Sequence, residues 1–227
     1  VRTASRGRRG QARGLPAQDT LARRTRKGDR VTSPLTYKRP TERAGDWMQT
    51  FTGRQFWPMD PRPEDLDILD IAHALSLLCR FGGHCQRFYS VAEHSVHVAR
   101  SLPRHLQLWG LLHDASEAYL VDVPRPVKPF LEGYADAERA VMLTIIQRYW
   151  LELGDAGNFM PTAVKQADNR ILVDERQQNM ASGREWGSLS GLVPLGVTLQ
   201  YWAPGEAESQ FLDLFYALKA EQEAGEK

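Results

Sequence analysis

The basic and acidic side chains of this 227-residue chain are divided so unevenly that only part of it can fold around a core. Residues 1–45 carry 13 Lys or Arg against 3 Asp or Glu, with five Val, Leu or Ile side chains and one tyrosine, whereas residues 46–227 carry 16 against 25. Stretches such as RGRRGQARG and ARRTRKGDR offer too little apolar surface to offset the entropy of ordering them. Residues 1–47 are therefore expected to be a disordered basic tail, or a start-site artefact, since the chain opens on Val1 and Met48 stands just before the first well-patterned sequence. A nucleic-acid arm, in which clustered arginines displace phosphate counterions, is a functional alternative, and an Arg-rich, acid-poor transit peptide is another. Residues 48–227 amount to one ordinary domain.

The longest nearly apolar run, Ile68 to Cys79, is broken by Asp70, His73 and Ser76. It falls short of the roughly 20 apolar residues of a bilayer span, so no membrane partner is expected. Cys79 and Cys85 stand in no CxxC spacing and no apolar signal region leads the chain. A cytoplasmic protein without a disulfide framework is the expectation.

Helical periodicity dominates residues 48–227. Leu66, Leu69, Ile71, Ala72, Leu75, Leu78 and Cys79 form one stripe of a helix over 65–80. Ser90, with Glu93 three residues on, is a capping-box signature opening a second helix that runs to Pro103. The spacing predicts a third helix from Pro103 to about Leu120, then a segment at 122–129 whose three prolines forbid a long helix. Further helices are expected over 134–153, stopped by Gly154, over 161–181, and over 206–219. Val197, Leu199 and Tyr201 alternate as one weak strand. There is no βαβ pattern, no GxGxxG or GxxxxGK fingerprint and no repeat, so the fold class is all-α.

Within that helical pattern, ligand-type side chains stand where apolar ones belong. His113 and Asp114 lie in an apolar helix, where charged groups are excluded unless paired or bound to metal. At helical spacing His113 and Glu117 share a face, with Asp114 one position round. An imidazole beside a carboxylate suits Zn, Mn, Fe or Co, and two ligands from one helix leave room for others. His94 or His97 on the second helix, and Asp168 in an otherwise amphipathic helix, are the candidates.

Three blocks carry a resemblance: Tyr89-Ser-Val-Ala-Glu-His94-Ser-Val-His-Val-Ala; Leu111-Leu-His113-Asp114-Ala-Ser-Glu117-Ala-Tyr-Leu-Val-Asp122-Val-Pro-Arg-Pro-Val-Lys128; and Lys165-Gln-Ala-Asp168. With Arg80 ahead of them, they resemble the HD-domain metal-dependent phosphohydrolases, nearest to the bacterial HD 5′-deoxynucleotidases and the phage dATP triphosphohydrolases. The resemblance spans roughly residues 51–178. It implies an HD-domain helical bundle, with His94, His113, Asp114 and Asp168 as ligands of a divalent metal (Zn, Mn or Co, possibly Mg). It also implies Glu117 as catalytic carboxylate, Asp122 as a further active-site acid, and Arg80 and Lys128 as phosphate contacts. The deoxynucleotidases have a tryptophan on the nucleoside where this chain has Phe81, and the Arg80-Phe-Gly-Gly-His84 segment is more similar to the phage branch. The implied reaction is hydrolysis at the 5′ (α) phosphate of a deoxynucleotide, giving deoxynucleoside with phosphate or triphosphate, by a homo-oligomeric enzyme. A non-catalytic nucleotide-sensing or nucleic-acid-binding module that uses the basic arm is the alternative. The stretch 186–195, apolar and glycine-rich, reads as a pocket lid or a contact surface.

Overall fold

The computed structural model describes residues 42–154 and 158–225, which belong to one compact unit. Most of the basic tail, residues 1–41, lies outside the described residues. Its last few residues lie within them and are docked: the Arg43 guanidinium donates to both Asp65 carboxylate oxygens at 2.7 Å and to the Asp60 carbonyl at 2.9 Å, and covers the Trp57 ring at 4.3 Å. Residues ahead of Met48 are thus packed against the domain.

Among the described residues the chain is helical apart from a two-stranded hairpin, β1 (Met48–Gln49) and β2 (Gln55–Phe56), in what the sequence presents only as a Pro-rich entry. Helix α1 (Ile68–Leu77) starts later than its stripe suggests. Asp67 accepts from the Leu69 amide as N-cap, and residues 63–65 form a separate 3-10 turn. Helix α2 (Val91–Ser101) is the axis of the fold: every residue from Val91 to Ala99 is buried, and α1, α3, α6 and α7 pack around it. Helix α3 (Gln107–Leu112) approaches α2 at Gly110. A Cβ there would lie 2.8 Å from the Ala99 Cα and 2.6 Å from the Leu102 Cδ1, so the crossing requires glycine.

The expected continuous helix through residue 120 is broken. Residues 113–116 form turns, and α4 is only Glu117–Leu120. The Ala115 amide bonds the Leu112 carbonyl and the Glu117 amide the Asp114 carbonyl, both three residues back, which tightens the chain toward three residues per turn. The helical spacing placed Glu117 over His113; the tighter winding places it over Asp114 instead.

Helix α5 (Tyr134–Tyr149) ends at Trp150 in a left-handed conformation, short of the expected stop. Gly154 serves a different purpose: a Cβ there would fall 2.5 Å from the Met160 backbone. Helix α6 (Thr162–Asn179) follows, and α7 (Pro204–Gly225) extends beyond its expected limits at both ends to pack on α1, α2 and α3.

The expected strand at 196–202 pairs with no other strand, because side chains take its backbone groups. Arg170, Asp174 and Gln178, one helical turn apart on α6, bond the backbone of Val193 to Leu199 at 2.7–3.0 Å. The buried Glu93 carboxylate then accepts from the amides of Gln200, Tyr201 and Trp202 at 2.7, 2.9 and 2.7 Å. Half of the capping box is thus present: the Ser90 hydroxyl accepts from the Glu93 amide at 3.0 Å, but the Glu93 side chain fastens this strap instead of reaching back. His97 stacks on Trp202 beside it.

Candidate metal centre and adjoining cavity

His94 on α2, His113 and Asp114 in the turn after α3, and Asp168 on α6 converge in the bundle. One donor atom from each lies within 4.8 Å of the others. His94 Nε2 and His113 Nε2 are 3.2 Å apart; Asp114 Oδ2 is 3.2 Å from His113 Nε2 and 3.5 Å from His94 Nε2; Asp168 Oδ1 is 3.9 and 3.6 Å from the same atoms. Ligands held about 2.1 Å from one ion lie roughly 3.0–3.4 Å apart, close to these edges.

The hydrogen bonds fix which way the two rings face. His94 Nδ1 lies 2.7 Å from Glu175 Oε1 and His113 Nδ1 lies 2.7 Å from the Gly110 carbonyl, both pure acceptors, so each ring donates from Nδ1. Each Nε2 atom is thereby turned toward the other and toward the two carboxylates. This donor set fits a divalent cation. Burial opposes the charge of Asp114, yet His113 and His94 hold its carboxyl far below the usual range; burial likewise opposes Asp168, which His94, His113 and Lys165 hold down. The identity of the ion does not follow from the geometry, since two imidazoles and two carboxylates suit several metals.

A cavity of about 810 Å³ opens on the cluster. Arg80, Phe81, Asp114, Glu117, Asp122, Lys128 and Asp168 all line it, so the sequence-derived site residues other than the two histidines share one wall. His94 and His113 stand behind them, both buried. Glu117 is buried, its Oε2 has no hydrogen-bond partner, and its Oε1 lies 3.8 Å from Lys128 Nζ. Burial, together with the charges of Asp114 and Asp122, pushes the Glu117 carboxyl well above the carboxylate range. Burial and Asp114 push Asp122 upward as well. Lys128 is paired with Glu138 at 2.7 Å, which keeps it protonated against its burial.

Arg80 and Phe81 sit on a short loop. Phe81, Gly82 and Gly83 all have positive φ, and Phe81 meets Trp186 with ring centroids 5.8 Å apart. Trp186 and Ser188 line the cavity, which assigns part of the 186–195 stretch to the pocket. The loop is flanked by Cys79 and Cys85, free thiols with sulfurs 3.5 Å apart.

Sequence reasoning missed Glu175, fully buried, whose Oε2 accepts from Arg80 Nη2 at 3.1 Å while Oε1 takes the His94 proton. Burial opposes its charge, but Arg80 and His94 keep it ionised. Its one sequence signal is an acid seven residues, two helical turns, after Asp168. Lys165 and Arg125, 2.8 and 3.7 Å from Asp168, were missed too, as was Glu138 beside Lys128.

No helix among the described residues is long and apolar enough to cross a membrane. No protein-family model matches the chain. It is 34% identical over 131 residues to the uncharacterized protein RCAP_rcc00048 of Rhodobacter capsulatus, covering 53% of this chain and 64% of that protein. It is 35% identical over 178 residues to the uncharacterized protein YfdR of Escherichia coli (strain K12), covering 74% of this chain and 93% of the relative. An identity of that level along almost the whole of the relative places this chain in the same family as YfdR.

Proposed function

We propose that the chain is a metal-dependent phosphohydrolase of the HD type that acts on deoxynucleotides at the 5′ (α) phosphate. The observation that carries this reading is the Glu117 carboxylate: buried, with one oxygen unpartnered, and on the same cavity wall as two ligands of the four-donor cluster. A structural carboxylate in that position would be paired. One that must take and release a proton is left open.

His94, His113, Asp114 and Asp168 would hold a divalent ion, which would supply Lewis-acid polarisation of a phosphoryl oxygen and acidify water. The remaining work falls to the chain. Glu117 orients the attacking water and accepts its proton, a role suited to a carboxyl whose pKa burial has raised. Arg80 presents a guanidinium to the phosphate and Lys128 a point charge. Asp122, a further acid in the cavity lining, gives a proton to the departing 5′ oxygen. The cavity is lined by five acidic and four Lys or Arg side chains, so with a divalent ion held there the site would attract an anion. Phe81, Leu172, Met180 and Trp186, also in its lining, offer apolar surface for the nucleoside.

The test is chromatographic product analysis of the full chain, stripped of metal and resupplied with Mn, Co, Zn or Mg, against matched deoxynucleoside mono- and triphosphates. Metal-dependent release of deoxynucleoside supports the reading, and the co-product, phosphate or triphosphate, names the substrate. Bound metal without turnover of any nucleotide overturns it in favour of a sensing role.

A further inference from the structure

Glu175 takes no part in the reaction proposed above, yet it is the most enclosed carboxylate beside the site, with no exposed surface. A charge buried so completely is retained only where its partners need it. Its partners are one metal ligand and one phosphate contact. Oε1 accepts the Nδ1 proton of His94 at 2.7 Å, and Oε2 accepts from Arg80 Nη2 at 3.1 Å. The two histidines of the cluster are therefore not equivalent: His113 is backed by the neutral Gly110 carbonyl, His94 by a full negative charge. Arg80 is held on its other side 3.6 Å from Asp114 Oδ2.

We propose that Glu175 is a positioning residue shared by the metal centre and the anion site. With one oxygen it fixes His94 as the Nδ1–H tautomer and strengthens Nε2 as a donor; with the other it holds the Arg80 guanidinium at the cavity wall. The arrangement explains why a carboxylate stands there and not an amide. An amide has one acceptor and one donor, so whichever way it turns, either His94 or Arg80 faces an N–H. The part concerning Arg80 rests on the phosphohydrolase reading. The part concerning His94 concerns a divalent cation alone.

The experiment uses the full chain and Mn²⁺, read by competition with a fluorescent chelator in the absence of nucleotide. Glu175→Gln is expected to weaken Mn²⁺ binding by about 10- to 100-fold, the usual effect of removing a carboxylate behind a ligating histidine. The His94 Nδ1 proton, followed in the imidazole NMR spectrum, is expected to leave its strongly hydrogen-bonded, downfield position. Where nucleotide turnover is measurable, KM rises more than kcat falls, because Arg80 is displaced. Unchanged Mn²⁺ affinity in a folded Glu175→Gln overturns the proposal. So does recovery of full affinity in the double variant with Arg80→Met, which would mean that Glu175 only neutralises Arg80. If Glu175→Gln does not fold, Glu175→Asp keeps the charge and withdraws both oxygens by one methylene, about 1.5 Å. Positioning predicts a comparable loss of Mn²⁺ affinity in that variant, and simple charge balance predicts none. Because Mn²⁺ binding is read without substrate, absence of nucleotide turnover counts against the phosphohydrolase reading and leaves this measurement intact.

Discussion

His94 and His113 point their Nε2 atoms at each other across 3.2 Å, while each Nδ1 meets an acceptor behind it. Two imidazole nitrogens at that distance, with two carboxylates alongside, make a donor set that a divalent cation can bind. Saturating Mn²⁺, Co²⁺ or Zn²⁺ at 100 times its dissociation constant is expected to stabilise the fold by about 2.7 kcal/mol, and EDTA to reverse the effect. Asp114→Ala removes a ligand and should abolish both the metal-induced rise in Tm and turnover. A rise of undiminished size in that variant would place the ion elsewhere.

Glu117→Gln separates metal binding from chemistry. Since Glu117 is outside the ligand set, the variant should bind metal normally and lose about 100- to 10,000-fold in kcat. It should also change the pH dependence of stability in the metal-free protein. The folded Glu117 carboxyl binds its proton more tightly than the unfolded one, whose pKa is near 4.5, so the native protein loses stability as pH rises above 4.5 through the folded value. Asp114 and Asp168, held down in the fold, act in the opposite sense, and only as pH falls below about 3.8. Denaturant titrations between pH 5 and 8 should give a flatter profile for Glu117→Gln than for the native chain, and parallel profiles would refute the assignment.

Glu93 is a structural acid in spite of its neighbour His94. It holds three consecutive amides of the strap, all bonds of the strong, charge-assisted kind. Glu93→Ala leaves those partly buried amides without their carboxylate and is expected to cost about 1–3 kcal/mol in urea unfolding. A loss below 1 kcal/mol would mean that water replaces the carboxylate.

At Gly110 the ordinary effect of a substitution should change sign. Gly→Ala inside a helix usually gains up to about 1 kcal/mol. Here the new methyl meets the Ala99 backbone and Leu102, so α2 and α3 must part and the net change should be destabilising by about 1–3 kcal/mol. Because α2 carries His94 and the chain after α3 carries His113 and Asp114, the same variant should bind metal more weakly, which a chelator competition would register.

What the sequence made legible was whatever a single element decides. The Ser90 cap, the apolar stripe of α1 and the out-of-place His113, Asp114 and Asp168 are properties of residues a few positions apart, and the structure brings those three side chains together. What escaped depends on partners distant in the chain. Glu175 bonds His94 from 81 positions away, and the strap amides meet Glu93 from more than 100, so no local period betrays either. The turn at 113–116 escaped for another reason: its sequence continues the helical pattern, and only the closer hydrogen bonds of the tightened turn reveal the change of pitch. The alternation of Val197, Leu199 and Tyr201 is real, but it reflects an extended chain held by side chains and not a ladder.

Arg43 lies in the part of the chain that composition alone assigns to solvent, five residues ahead of Met48. Its guanidinium closes the loop of residues 57–65 from outside, meeting Asp65, Asp60 and the Trp57 ring together. A truncation beginning at Met48 would keep every helix and every metal ligand, yet expose an indole face and strip a carboxylate of its counter-ion beneath α1. Arg43 thus ties residues ahead of Met48 to the domain, and a shortened form meant to be soluble and well behaved should retain it.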